Sequence, residues 1–115
     1  MIHSMNLRIG PYTSIKNGTK TIEMRLYDEK RQTIKVGDQI QFGNYENNEK
    51  LIVNVKNLHI CPSFADLYAK FDKVALGYKP EDKAVAEDML DYYPIEEQNK
   101  YGVVGIEIEL VEIID

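Results

Sequence analysis

Apolar and polar residues alternate with period two along much of this chain, and that pattern limits the fold more than any bulk property. In residues 21–27, Ile22, Met24 and Leu26 fall on one side, while Thr21, Glu23, Arg25 and Tyr27 fall on the other. Side chains of a strand point alternately to its two faces, so this segment is expected to be a strand with one apolar face. Met5, Leu7 and Ile9 predict an opening strand, and Ile40 and Phe42 an inward-facing one after the turn Val36-Gly37-Asp38. Val104, Ile106, Ile108 and Leu110 alternate with Glu107 and Glu109 in a closing strand with a wet face. In the long run 51–60, Leu51, Val53 and Val55 keep one phase, and Leu58 and Ile60 take another. The change at Lys56-Asn57 predicts a β-bulge or bend.

Helical spacing fills the gaps between these strands. Gly10-Pro11 starts a short helix with Tyr12 and Ile15 on its apolar side, and Gly18 ends it. Phe64, Leu67, Tyr68 and Phe71 form one buried stripe after Ser63, which stands in a near capping-box relation to Asp66. Pro80 is expected to open a further helix reaching about Tyr92, with Val85, Met89 and Tyr92 or Tyr93 inward, and residues 95–100 to add a turn. Strands at both ends and in the middle, with helices between, predict an α+β domain on a mostly antiparallel sheet. Curling that sheet into a small barrel or pseudo-barrel would remove its exposed edges.

At 115 residues the chain is read as one domain, 1–115, able to bury somewhat under ~70% of its unfolded surface without disulfide or metal. A single cysteine, Cys61, allows no internal disulfide and suits a reducing cytoplasm. No leader-like apolar run opens the sequence, and no stretch has the length of a membrane span, so a cytoplasmic protein with no membrane partner is expected. The net charge of −5 conceals an asymmetry. Residues 1–40 carry seven bases against four acids, and residues 61–115 carry five against thirteen. An acidic protein cannot coat itself with nucleic acid, yet a local basic surface could hold a phosphate or a short strand.

Few residues announce chemistry. His3, His59 and Cys61 have no paired metal-ligand spacing, although His59 and Cys61 share a strand face, so no obligatory metal or cofactor is expected. Phosphate-binding glycine loops and the nucleophile elbow are absent from the sequence. Cys61 precedes Pro62 and a helix start, a setting that could activate a thiol, though a lone thiol is commonly a small apolar residue. What stands out is Gly18-Thr19-Lys20-Thr21-Ile22-Glu23-Met24-Arg25, followed by Asp28 and Lys30-Arg31. A carboxylate between two cations keeps its charge, orients its neighbours, and leaves donors for an anion or a base edge. A desolvated Lys20 near Glu23 would suit proton transfer. The alternative is an exposed strand face laced with surface ion pairs worth ~0–1 kcal/mol each. Among the eight tyrosines, Tyr68 and Tyr92 sit at core spacing. Tyr27, beside Arg25, and Tyr78, in a loop, are candidates to stack on a nucleobase.

These residues give the chain a resemblance to the ASCH domain (activating signal cointegrator homology), of the PUA-like superfamily. The segments carrying it are 15–25 with the G-x-K-x-x-E-x-R core, Val36-Gly37-Asp38-Gln39-Ile40-Gln41-Phe42, and Tyr101-Gly102-Val103-Val104-Gly105-Ile106-Glu107-Ile108. The resemblance implies a PUA-like β-barrel with flanking helices and a cleft that receives RNA or a nucleotide, in which Lys20, Glu23 and Arg25 match the polar motif. Some bacterial members of the family are amidohydrolases that deacetylate 4-acetylcytidine. Lys20 matches their lysine, and Glu23 stands where they have a threonine. For their helical glutamate the nearest position is Tyr78, with Glu81 and Glu87 further along. The leading expectation is therefore an RNA- or modified-nucleoside-binding domain using Lys20, Glu23, Arg25, Tyr27 and Tyr78. A second is a small amidohydrolase with Lys20 as base and Glu23 positioning water. A third is an interaction module that uses its acidic second half.

Overall fold

The computed structural model describes residues 1–114. Strands β1 (Ile2–Leu7), β2 (Ile22–Leu26), β3 (Gln39–Asn44), β4 (Lys50–Cys61) and β5 (Val103–Ile114) form a single sheet in the order β1-β3-β4-β5-β2. Helix α1 (Ile9–Lys16) links the first two strands, and α2 (Phe64–Lys70), α3 (Lys73–Leu76) and α4 (Ile95–Tyr101) lie between β4 and β5. All pairings are antiparallel except β1 with β3, where Met5 stands opposite Phe42.

An α+β domain with a mostly antiparallel sheet is thus what the alternation predicted, but the sheet does not close into a barrel. Among the described residues β1 and β2 remain edges, and no backbone ladder joins them. The sheet curls far enough that the Arg25 guanidinium of β2 reaches the Asn6 carbonyl of β1. A side chain therefore stands where a fifth, closing ladder would have run. At the other side of β2, short helix α3 covers the strand's start, with the Thr21 amide donating to the Ala75 carbonyl.

Two apolar clusters lie on opposite faces of the sheet. One gathers Tyr12 and Ile15 of α1 with Ile40, Phe42, Val53 and Ile106 of the strands. The other joins Ile22, Met24 and Leu26 of β2 to Phe64, Leu67 and Leu76 of the helical segment. The expectation of one wet face per strand therefore fails at β2 and the first half of β5, where Val103 and Val104 are both buried. Gly105 explains how the helices approach so closely. A Cβ there would come within 3.1 Å of both Ile22 and Leu67. In β4 the register slips between Val55 and Asn57, so Lys56 is the bulged residue, at the phase change read from the sequence.

The connection between α2 and β5 departs most from expectation. No continuous helix runs from Pro80 to Tyr92. Instead α3 ends at Gly77, whose φ of +112° suits glycine, and the chain makes a single 3-10 segment, Ala86–Asp91. Met89 and Tyr93 pack inward as the spacing suggested, but Tyr92, expected in the core, is exposed. Ile9, assigned to the first strand by alternation, instead begins α1 and is exposed. Residues 95–101 form the helix α4, longer than the single turn expected.

Candidate anion-binding site

Edge strand β2 carries Glu23 and Arg25 on the same face as their cross-strand partners Ile106 and Val104, which belong to the cluster built around α1. Lys20 precedes the strand and turns towards α3. The three side chains meet: Lys20 Nζ lies 3.3 Å from Glu23 Oε1, and Arg25 Nε donates to Glu23 Oε2 at 2.8 Å. Their side chains are only 7%, 6% and 14% exposed. The solvated charged strand face is thereby ruled out in favour of a buried ion cluster.

The backbone completes the seat. Lys20 Nζ donates to the Leu76 carbonyl at 2.8 Å, and Arg25 Nη2 to the Asn6 carbonyl at 3.2 Å. Gly77 lies against Lys20: a Cβ at that position would meet Cδ at 3.1 Å and Nζ at 3.2 Å. Nothing in the local sequence pattern pointed to the Leu76 and Asn6 carbonyls. The glycine preceding Tyr78 was the one legible hint.

Burial acts first on Glu23 and would raise its pKa. The charges of Lys20 and Arg25 and their hydrogen bonds outweigh it, so the carboxyl is held below the ordinary glutamate value. For Arg25, burial works to lower the pKa, and the Glu23 carboxylate overcomes it, with smaller support from Tyr93 and Tyr45. Two buried cations share one buried carboxylate, and a lysine ammonium and a guanidinium have three and five N–H donors. The cluster therefore keeps unused donors and a formal excess of one positive charge.

A second ion pair stands nearby. Arg31 Nη1 lies 3.1 Å from Asp28 Oδ2, and both charges act on the Tyr93 phenol, as do Glu23 and Arg25. Burial is the main cause of that phenol's raised pKa. The Arg31 Nε is buried and has no hydrogen-bond partner among the described residues. The Tyr93 phenol thus lies within the field of both ion pairs, while its ring stacks on Phe64.

The structure treats the two candidate tyrosines differently from the triad. Tyr27 packs against the cluster around α1, and its amide donates to the Gly102 carbonyl. Tyr78 packs into the other cluster, and its hydroxyl donates to Asp88 Oδ2 at 2.7 Å. Because that carboxylate only accepts, the Tyr68 hydroxyl must be the donor in its 2.7 Å bond to Tyr78. Burial is the largest of the causes that push the Tyr78 phenol far up. Lys20 also reaches a hollow of about 590 Å³ that includes Thr21, Lys56, Phe71, Glu107 and Glu109, but Glu23 and Arg25 do not line it.

The paired histidine and cysteine resolve into ordinary strand residues. His59 Nε2 lies 2.8 Å from Glu107 Oε1, with its ring edge-on to Phe71, and Cys61 packs beside the helical cluster. Among the described residues no group of three or more His, Cys, Asp or Glu is placed to hold a metal ion. No helix among them is long and apolar enough to cross a membrane.

Fold and cluster together define a small α+β domain with a buried, net-cationic group at the edge of an almost closed sheet. A family model for the ASCH domain matches residues 5–112, and the chain belongs to that family. Among solved structures it is similar to the crystal structure of hypothetical protein PH0355, at 37% identity and a TM-score of 0.81, over 96% of this chain and 100% of that one. It is also similar to the solution structure of protein PF0455 from Pyrococcus furiosus, at 38% identity and a TM-score of 0.72, over 97% of this chain and 99% of that one. A comparison with curated proteins gives no match.

Proposed function

We propose that this ASCH domain binds RNA or a modified nucleoside through the Lys20–Glu23–Arg25 cluster. The observation that carries the reading is the uneven count of charges: two cations and one carboxylate, all under 15% exposed. Sheltered excess charge of this kind favours an anionic or strongly accepting guest, because the low dielectric strengthens each contact. In this reading Lys20 and Arg25 hold a phosphate or carbonyl oxygen. Glu23 fixes both cations and accepts from an exocyclic amine. Tyr27, in the sequence beside Arg25, and Tyr78, next to the Gly77 that abuts Lys20, are the rings offered to a base in this reading. The setting is the cytoplasm, where a free Cys61 thiol stays reduced.

Binding is favoured over hydrolysis by the state of Glu23. Its two oxygens are taken by Lys20 and Arg25, which leaves it poorly placed to position a hydrolytic water. The test is a titration with nucleoside 5′-monophosphates and 4-acetylcytidine, followed by calorimetry and by assay for released cytidine. Saturable binding, lost in Lys20→Ala, supports the proposal. Turnover of 4-acetylcytidine dependent on Lys20 would replace it with the amidohydrolase. No binding at low salt would overturn both.

A further inference from the structure

Strand β5 outruns its neighbour on one side. β2 pairs with it only from Val103 to Glu107, and the Ile108 amide donates to the Thr21 carbonyl at 2.9 Å. Beyond that bond, residues 109–114 pair with β4 alone. Among the described residues no strand fills the lane that a longer β2 would occupy, which leaves roughly 20 Å of open edge. Val111, Ile113 and Ile114 stand 46%, 40% and 36% exposed along it. Where the lane meets β2 lies the hollow of about 590 Å³. Ile15, Gly18 and Thr21 line it from the chain before β2, and Glu107, Glu109 and Leu110 line it from β5.

We infer that this open edge of β5 is a docking site for an extended, basic segment of a partner protein, which adds a strand in line with β2. An unpaired edge supplies main-chain hydrogen bonds, and a pocket beside it selects among side chains. Charge sets the chemistry of the occupant. Residues 103–114 carry Glu107, Glu109 and Glu112 and no base. The Lys56 ammonium lies 3.8 Å from Glu109 Oε2 with both side chains at least half exposed, so the pair is weak and yields to a competing cation. Lys20 also lines the hollow, but its ammonium is held by Glu23 and the Leu76 carbonyl. An arginine or lysine of the incoming strand lays its stem on Ile15 and Leu110 and its head against Glu109. A second copy of this chain is the poorer occupant. Two β5 edges paired with each other set acidic strands side by side, and like charges across a ladder destabilise it. Val111 is also the extra residue where the register slips between Val53↔Leu110 and Ile52↔Glu112, and a bulge at an edge guards against unselected pairing. Neither Glu23 nor Arg25 lines the hollow, so occupancy of the edge is independent of nucleotide binding at the cluster.

The probe is an end-blocked peptide of about eight residues alternating valine with arginine, long enough to cover residues 109–114. Hydrogen exchange followed by NMR should show protection gained by those amides of residues 109–114 that face away from β4. Replacing the arginines of the peptide by glutamates should weaken binding at least about tenfold. Glu109→Lys combined with Glu112→Lys should do the same, at two exposed positions outside both apolar clusters. Methylating alternate backbone amides of the peptide should abolish binding on the set that faces β5 and spare it on the other set. Equal effects of the two sets, affinity indifferent to both charge reversals, protection confined to another strand such as β1, or no binding at all overturns the docking site. Concentration-dependent dimerisation of the chain alone, with the same amides protected, overturns it in favour of a second copy. An RNA hexanucleotide that protects those amides where the peptide does not overturns it in favour of nucleic acid.

Discussion

Arg25 donates through Nη2 to the Asn6 carbonyl and through Nε to Glu23, and in doing so ties together the two edges of the sheet. One side chain closes the seam that the backbone leaves open and also supplies half of the positive charge of the candidate site. Fold stability and the proposed ligand binding would therefore rest on the same guanidinium.

Removing it should be costly. Arg25→Ala strands the Glu23 carboxylate with Lys20 alone and opens the seam, a loss of about 3 kcal/mol. Arg25→Lys keeps the charge but lacks the planar fork that serves Glu23 and Asn6 together, so it should recover less than half of that. Urea denaturation of the three proteins measures both values. Equal stability of wild type and Arg25→Ala would show that the seam contact is incidental.

The pH dependence follows from Glu23. Its pKa is lower folded than unfolded, so in the acidic range the unfolded chain binds more protons and stability rises with pH. The contribution is complete above the unfolded glutamate value, about 4.3, and is lost as the pH falls through the lower folded value. Glu23→Gln lacks this term. Its stability deficit should be largest near neutrality and shrink as the pH is taken below about 4, read as denaturation midpoints across pH 2.5–7. Parallel curves would mean that the carboxylate is not ion-paired in solution.

Gly77 is expected to be intolerant of substitution. A side chain at φ +112° is strained, and its Cβ would press on Lys20 Cδ and Nζ. Gly77→Ala should cost about 1–2 kcal/mol from backbone strain. It should weaken nucleotide binding further by displacing the ammonium. Thermal melts and ligand titration separate the two effects; a destabilised variant with unchanged affinity would place Lys20 outside the binding site.

The Tyr78 hydroxyl is the middle link between Tyr68 and Asp88. Tyr78→Phe leaves the ring and removes that link, which should lower stability by about 1–2 kcal/mol. Ligand affinity should hold if, as proposed, the ring rather than the hydroxyl meets the base. Loss of affinity without loss of stability would show that the hydroxyl touches the ligand directly.

Much of this architecture could be read directly from the order of residues. Alternation located the strands, the phase change at Lys56-Asn57 marked the bulge, and the spacing of Phe64 and Leu67 marked α2, because each is a local consequence of strand or helix periodicity. The G-x-K-x-x-E-x-R pattern likewise singled out the three charges. Sequence could not say that the polar face of β2 is buried, because burial depends on what lies opposite: the cluster around α1 and the arrival of α3 from 50 residues or more along the chain. The Pro80 segment failed for the same reason. Its helical spacing is weak, and the Tyr78–Asp88 and Lys73–Asp82 contacts hold it in an irregular course instead. Short-range pattern thus determined which residues alternate, turn and carry charge. Only tertiary packing decided that the sheet stops short of closure, with Arg25 in the gap, since an edge is open or closed according to contacts between segments far apart in the chain.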